Sequence, residues 1–249
     1  MSVFDPTAED LPADLPIFPL TGVLLLPRAQ LPLNIFEPRY LDMVTDALGD
    51  GRMIGMIQPR VPGDYVSPDY APRDYAQGGL TPAGTDEGEE LPSAEAEQPA
   101  VFPVGCAGRI TQFEETEDGR FLINLRGVAR FRIAAEMPMR DGYRRVEADW
   151  SDYLTDLIEP DEAAPMDKKR LFASLKPYFE GQEIQANWDA INDTPSERLI
   201  NSLSMICPFE PLEKQALLEA PSLKDRLDVL TSLVEMAVLE TTHEESGRQ

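Results

Sequence analysis

The sequence predicts an α+β fold: a β-rich first part over residues 15–160, then a small antiparallel helical bundle over 161–240. Two observations predict it. Phe121–Ile133 alternates strongly, with Phe121, Ile123, Leu125, Gly127, Ala129, Phe131 and Ile133 non-polar, and Asn124, Arg126, Arg130 and Arg132 among the residues between them. That is the period of a half-buried strand with one wet face. From about Asp161 the period lengthens, and Leu171, Leu175 and Phe179 recur at four-residue spacing, as do Leu223 and Leu227. An apolar content of 42 % in 249 residues suffices for a sizeable core without disulfides or metal.

Each element follows in order. Residues 1–14 are acidic and proline-containing and read as a flexible tail. Ile17–Leu20 and Val23–Leu26 read as short strands broken by Pro19, Gly22 and Pro27, and Leu31–Phe36 as a third extended piece. A helix comes next: Pro38 fits its first turn, where the missing N–H costs nothing, and Gly49 suits its end. Met53–Ile57 is apolar on both faces, as in a buried strand.

Residues 60–99 break this texture. They carry nine acids against two bases, a net of 2 − 9 = −7, with many prolines and glycines and few aliphatics. The stretch reads as a disordered acidic insert between two strands, with Tyr65, Tyr70 and Tyr75 scattered in it. Strands resume over Val101–Phe113, and Glu117-Asp118-Gly119 supplies a hairpin turn. Thirteen residues is long for the strand that follows, and Gly127 is its natural bend or bulge. Val146, Ala148 and Trp150 mark a last strand.

The helical part opens with Asp167–Phe179. Thr194-Pro195-Ser196-Glu197 reads as a capping box ahead of Leu199, Ile200, Leu203 and Ile206. Pro208 stops that helix, Pro211 starts a short one, and Ser222 to Asp225 opens the last. Residues 241–249 read as a polar tail.

Charge narrows the function classes. With 22 Lys+Arg against 45 Asp+Glu the net is −23 and the pI about 4.3, which repels phosphate backbones and anionic bilayers. Neither nucleic acid nor membrane is expected as a partner. The N-terminus has no basic start and no apolar run of a signal peptide, and Val23–Leu26 falls far short of the roughly 20 residues a spanning helix needs. A cytoplasmic location is expected. Cys106 and Cys207 lack CxxC spacing and histidine neighbours, so no metal site is expected; two thiols suit a reducing compartment, and the sequence leaves a disulfide between them open. Cys106 falls in register with Val104 and Ile110 and reads as an inert core thiol, and Cys207 reads as packing before Pro208. His243, the one histidine, lies in the polar tail, a poor place for a nucleophile's base.

One block carries a specific resemblance. Leu15–Tyr40, LPIFPLTGVLLLPRAQLPLNIFEPRY, resembles the opening of the N-terminal substrate-binding domain of the Lon protease family. Gly105–Ile133 resembles that family's second signature, through Gly105, Arg109, Asp118, Gly119, Gly127 and Arg130. The resemblance spans roughly residues 15–240, with the acidic insert as a departure. It implies a PUA-like pseudo-barrel followed by a helical bundle, and a domain that captures unfolded or tagged proteins without performing chemistry. The five lysines (Lys168, Lys169, Lys176, Lys214 and Lys224) follow no glycine-rich loop, so nothing here can cradle nucleotide phosphates as the family's ATPase does. A 249-residue chain of this layout also leaves no room for the peptidase module. No enzyme activity and no cofactor are expected.

Two groups of residues are candidates for protein binding. In Phe36-Glu37-Pro38-Arg39-Tyr40, Phe36 and Tyr40 pack while Glu37 and Arg39 brace a strand-to-helix corner, or the corner borders a client-binding surface. Arg126, Arg130 and Arg132 share the wet face of one strand. They either pair with cross-strand acids or take acidic segments, from a client or from the 60–99 insert acting as a gate. The leading expectation is a non-enzymatic module that binds unfolded or partly folded polypeptide and passes it to a separate ATP-dependent protease. The alternative is a scaffold for one dedicated folded partner.

Overall fold

The structure, a computed structural model, describes residues 6–60, 99–159, 166–182, 184 and 186–246, with backbone alone over 241–246. Six strands form one mixed sheet: β1 (Asp14–Pro19), β2 (Gln30–Ile35), β3 (Met53–Ile57), β4 (Val104–Glu115), β5 (Phe121–Arg140) and β6 (Tyr143–Asp149). Helix α1 (Pro38–Gly49) crosses between β2 and β3. A 3-10 helix over Ser151–Leu157 leads towards α2 (Lys169–Gly181), α3 (Trp188–Asp193), α4 (Ser196–Ile206), α5 (Pro211–Glu219) and α6 (Leu223–Ser246).

The sheet closes on itself through β5. This strand pairs with β4 along most of its length, with β2 through its first half and with β6 through its second. β6 then pairs with β1, β1 lies parallel to β3, and β3 pairs with β4. Five strands therefore make a ring, and closure removes their edges. The first half of β5, with β2 and the far end of β4, extends beyond the ring as a three-stranded wing.

Alternation along the closed strands sorts side chains into two cores. Leu15, Ile17, Met53, Ala107, Phe131 and Val146, drawn from all five, fill the barrel. Phe131 is the largest fully buried side chain there, and two glycines make way for it. A Cβ at Gly55 would stand 2.8 Å from the Phe131 ring, and one at Gly105 2.7 Å from it and 2.6 Å from the Met56 carbonyl. The larger core lies outside the barrel, where Phe18, Ile54, Met56 and Ile110 meet Leu175, Leu203, Leu217 and Leu230 of the helices. One continuous apolar cluster thus joins sheet and helices.

Several expectations change. Val23–Leu26 is not a strand: Leu24, Leu25 and Leu26 are buried in a loop laid across the sheet, held by the Arg28 N–H to the Gly127 carbonyl at 2.8 Å. An apolar run with proline and glycine neighbours plugs the core here instead of pairing. The capping box at Thr194 does not form; its hydroxyl donates to the Ala190 carbonyl at 2.6 Å, and Glu197 is taken by Arg28. β5 continues past Ile133 to Arg140, and α6 runs to Ser246, into the stretch read as a polar tail. The insert expected at 60–99, with its three tyrosines, falls almost wholly outside the described residues. Its two ends meet at a bridge between Pro59 and Val101.

Candidate functional site

The strand-to-helix corner is built as a brace. Glu37 caps α1 with extended backbone and Pro38 occupies the first turn. Arg39 donates to Glu37 at 2.9 Å and lies 4.5 Å over the Tyr40 ring. Tyr40 is buried against Phe18, with ring centroids 4.2 Å apart, so it offers no binding surface. The β5–β6 turn packs on Arg39, since a Cβ at Gly142 would stand 3.2 Å from the Arg39 Cβ. Behind it, the Tyr143 hydroxyl donates to Asp46 at 2.7 Å; burial first, then this carboxylate, raise its pKa. Phe36 stays half-exposed at the outer end of β2.

The three arginines of β5 do not share a wet face. Gly108 stands opposite Gly127 but Ala107 stands opposite Ala129, so Val128 is an extra residue, a bulge. One extra residue turns every later side chain to the other face. Ala129 and Phe131 therefore enter the barrel, and Arg130 turns into the helix interface, where it is 4 % exposed. Arg126 remains on the surface before the bulge, and Arg132 after it, 3.5 Å from Asp152. The bend anticipated at Gly127 was the one sequence signal for this change of phase.

Arg130 sits in a buried polar cluster that sequence reasoning missed. Its Nε and Nη2 donate to the two oxygens of Asp156, each at 2.8 Å, and its main-chain N–H donates to the same carboxylate at 3.0 Å. Its Nη1 donates to the Leu218 and Ala220 carbonyls at the end of α5. The Tyr153 ring lies 4.7 Å below the guanidinium. Burial disfavours its charge, but the Asp156 carboxylate more than offsets this and raises the Arg130 pKa. Nearby Arg226 donates to the Leu217 carbonyl and to Asn201; burial, then repulsion from Arg130, pull it down to about 10. Asp156 is one of 45 acids, and no spacing in the sequence marks it.

The nucleophile candidates are inert. Cys106 and Cys207 are both free and buried. Burial raises the Cys106 thiol and pushes Cys207 up to about 12, so both stay protonated at neutral pH. The described residues contain no group of three His, Cys, Asp or Glu placed to hold a metal, and no helix long and apolar enough to cross a membrane.

The wing carries part of the exposed apolar surface, the rest lying at scattered positions such as Met139, Ile158 and Leu212. Phe113 and Phe121 meet edge-on with centroids 4.9 Å apart, and Phe113 is 41 % exposed. Leu122, on the opposite face, is 40 % exposed. Ile35 pairs with Phe121, placing Phe36 at the same tip, and Gln30 pairs with Arg126 at the base. The six candidate residues thus fall in separate places: Phe36 and Arg126 at opposite ends of the wing, Arg39 bracing the corner, Tyr40 and Arg130 interior, and Arg132 beyond the bulge.

A closed barrel continuous with a helical bundle makes this an α+β domain. The chain belongs to the ATP-dependent protease La (LON) substrate-binding domain family, whose profile matches residues 14–236. It is 23 % identical over 237 residues to a Lon protease of Dictyoglomus thermophilum, covering 93 % of this chain and 26 % of that protein. With a Lon protease of Anaeromyxobacter dehalogenans it shares 23 % over 231 residues, covering 91 % and 23 %. The chain thus spans about a quarter of the length of these relatives, and the part matched is the substrate-binding domain, not the ATPase or the peptidase. The crystal structure of a Lon N-terminal domain protein from Xanthomonas campestris shares the fold, with a TM-score of 0.51 at 21 % identity over 88 % of this chain and 97 % of that one.

Proposed function

We propose that this chain is a non-enzymatic polypeptide-binding module that recognises exposed apolar segments of unfolded proteins and delivers them to a separate ATP-dependent protease. Membership of a substrate-binding family supports the first half. The observation that carries the reading is the wing, which holds Phe113 and Leu122 exposed on opposite faces of a three-stranded platform, with Phe36 at its tip and Arg126 at its base. Apolar contacts supply affinity there, and Arg126 fixes orientation.

The test is capture of a permanently unfolded, fluorescently labelled polypeptide without nucleotide. The wild-type chain binds it, and the Phe113→Ser/Leu122→Ser pair binds roughly tenfold more weakly, about 1.4 kcal/mol for two anchors. Affinity capture with mass spectrometry tests delivery: an ATPase–protease subunit enriched with many unrelated clients supports it. A single stoichiometric folded partner, with no unfolded client bound, replaces the proposal with a scaffold.

A further inference from the structure

We infer that the outer edge of β2 is a strand-addition site, which takes an extended, neutral-to-basic polypeptide segment as a fourth strand of the wing. The inference rests on the polypeptide-binding reading and names its place and backbone chemistry.

The ring leaves the wing outside its closure, and β2 ends the strand order with β5 as its sole partner among the described residues. The phase of its hydrogen bonds follows from one contact, the Gly127 N–H to the Ala29 carbonyl at 2.9 Å. Antiparallel strands alternate bonded and non-bonded pairs. Leu31, Leu33 and Ile35 therefore turn their backbone groups to β5, and Gln30, Pro32 and Asn34 turn theirs outward. Pro32 agrees with this phase, because a proline is tolerated where no ladder N–H is needed. The outward row offers three carbonyls, from Gln30, Pro32 and Asn34, and two N–H groups, from Gln30 and Asn34, at a period of roughly 6.8 Å, which matches an incoming strand.

Two further observations select the occupant. Among the described residues the Asn34 side-chain oxygen is shielded from solvent and accepts no hydrogen bond, a polar group left unsatisfied in the edge strand itself. The net charge of −23 opposes a second copy of this chain, or an acidic strand, and attracts a basic one. Half-buried Leu31 and Phe36 flank the row with apolar surface for alternate side chains of the segment.

The probe is a labelled peptide of about nine residues alternating lysine with valine or threonine, the length of a long strand. Its partner is the same peptide N-methylated at alternate residues, which cannot extend a ladder. The wild-type chain binds the first and binds the second at least about tenfold more weakly, a difference in the range of one or two lost hydrogen bonds. Asn34→Pro removes an outward N–H and the Asn34 carboxamide but no ladder bond to β5, so it keeps the wild-type circular dichroism and urea midpoint yet loses the same factor in affinity. If Asn34→Pro does not fold, amide exchange of the wild type decides. Peptide then slows the Gln30 and Asn34 amides at least about tenfold, beyond the range of unaltered local opening.

Equal binding of both peptides overturns the inference, as does unaltered affinity in folded Asn34→Pro or unaltered exchange at both amides. Concentration-dependent dimers that Asn34→Pro abolishes also overturn it, in favour of a second copy as occupant. In each case, capture of the unfolded polypeptide leaves the binding module standing without this edge. If neither peptide nor unfolded polypeptide binds, both readings fall together.

Discussion

Asp156→Ala removes one carboxylate that serves two buried guanidiniums. Asp156 is 7 % exposed and Arg130 4 %, and the pair is bidentate. Breaking a buried pair from one side costs about 3–5 kcal/mol, because the remaining charge stays desolvated. The Arg130 main-chain N–H loses its acceptor as well, about 1 kcal/mol more. Arg226 loses the same favourable carboxylate while already held down by burial and by Arg130. The expected loss is about 4–6 kcal/mol, a large share of the roughly 5–15 kcal/mol that holds a domain together. The assay is urea unfolding followed by circular dichroism, with the midpoint shift read at constant slope. Added salt should recover little of the loss, because the pair is buried and poorly screened. Arg130→Met/Asp156→Leu should cost about 2 kcal/mol, chiefly for the Leu218 and Ala220 carbonyls left without Arg130. An Asp156→Ala loss under about 1 kcal/mol would refute the reasoning, and so would a double variant costing the sum of both single ones.

Three other predictions concern packing and pH. Gly127→Ala puts a Cβ 2.0 Å from the Leu26 carbonyl, so the loop across the sheet must lift; a loss of about 3 kcal/mol is expected in the same urea assay. Phe131→Leu should partly rescue Gly55→Ala, which meets only side chains, and should not rescue Gly105→Ala, which also meets the Met56 carbonyl at 2.6 Å; thermal midpoints of the double variants decide this. The Cys207 thiol rises from 9.0 to about 12 on folding, so its contribution is fully present below pH 9 and is lost as pH climbs towards 12. Stability should decline over that window, and Cys207→Ala should flatten the decline; equal slopes in the two proteins would remove Cys207 as a cause.

Much of the fold was legible because it depends on local pattern. The two-residue period of Phe121–Ile133 predicted a strand, and β5 covers it. Pro38 and Gly49 bracketed α1, and the all-apolar Met53–Ile57 is β3, buried on both faces. The site was less legible. Periodicity assigned Arg126, Arg130 and Arg132 to one face because it assumes an unbroken pleat, and a single inserted residue, Val128, puts Arg126 on the face opposite Arg130 and Arg132. Tyr40 and Phe36 were grouped by adjacency, whereas the corner buries one and leaves the other at the wing tip. Phe113 and Leu122 looked like ordinary strand residues, and their exposure arises because β3 and the ring stop short of them.

The sequence by itself determined the α+β class, the order of most elements and the family resemblance, since these rest on short-range periodicity, turn chemistry and a contiguous motif. Only the tertiary structure decided that β5 closes a ring, that Arg130 is a buried clamp joined to Asp156 and α5, and that β2 has β5 as its sole strand partner among the described residues. The first two depend on contacts between residues far apart in the chain, from 26 positions for Arg130 and Asp156 to 131 for Asp14 and Arg145 across β1 and β6. Local pattern carries no record of such distant partners, because the free energy that selects them comes from burial and charge pairing in the assembled core.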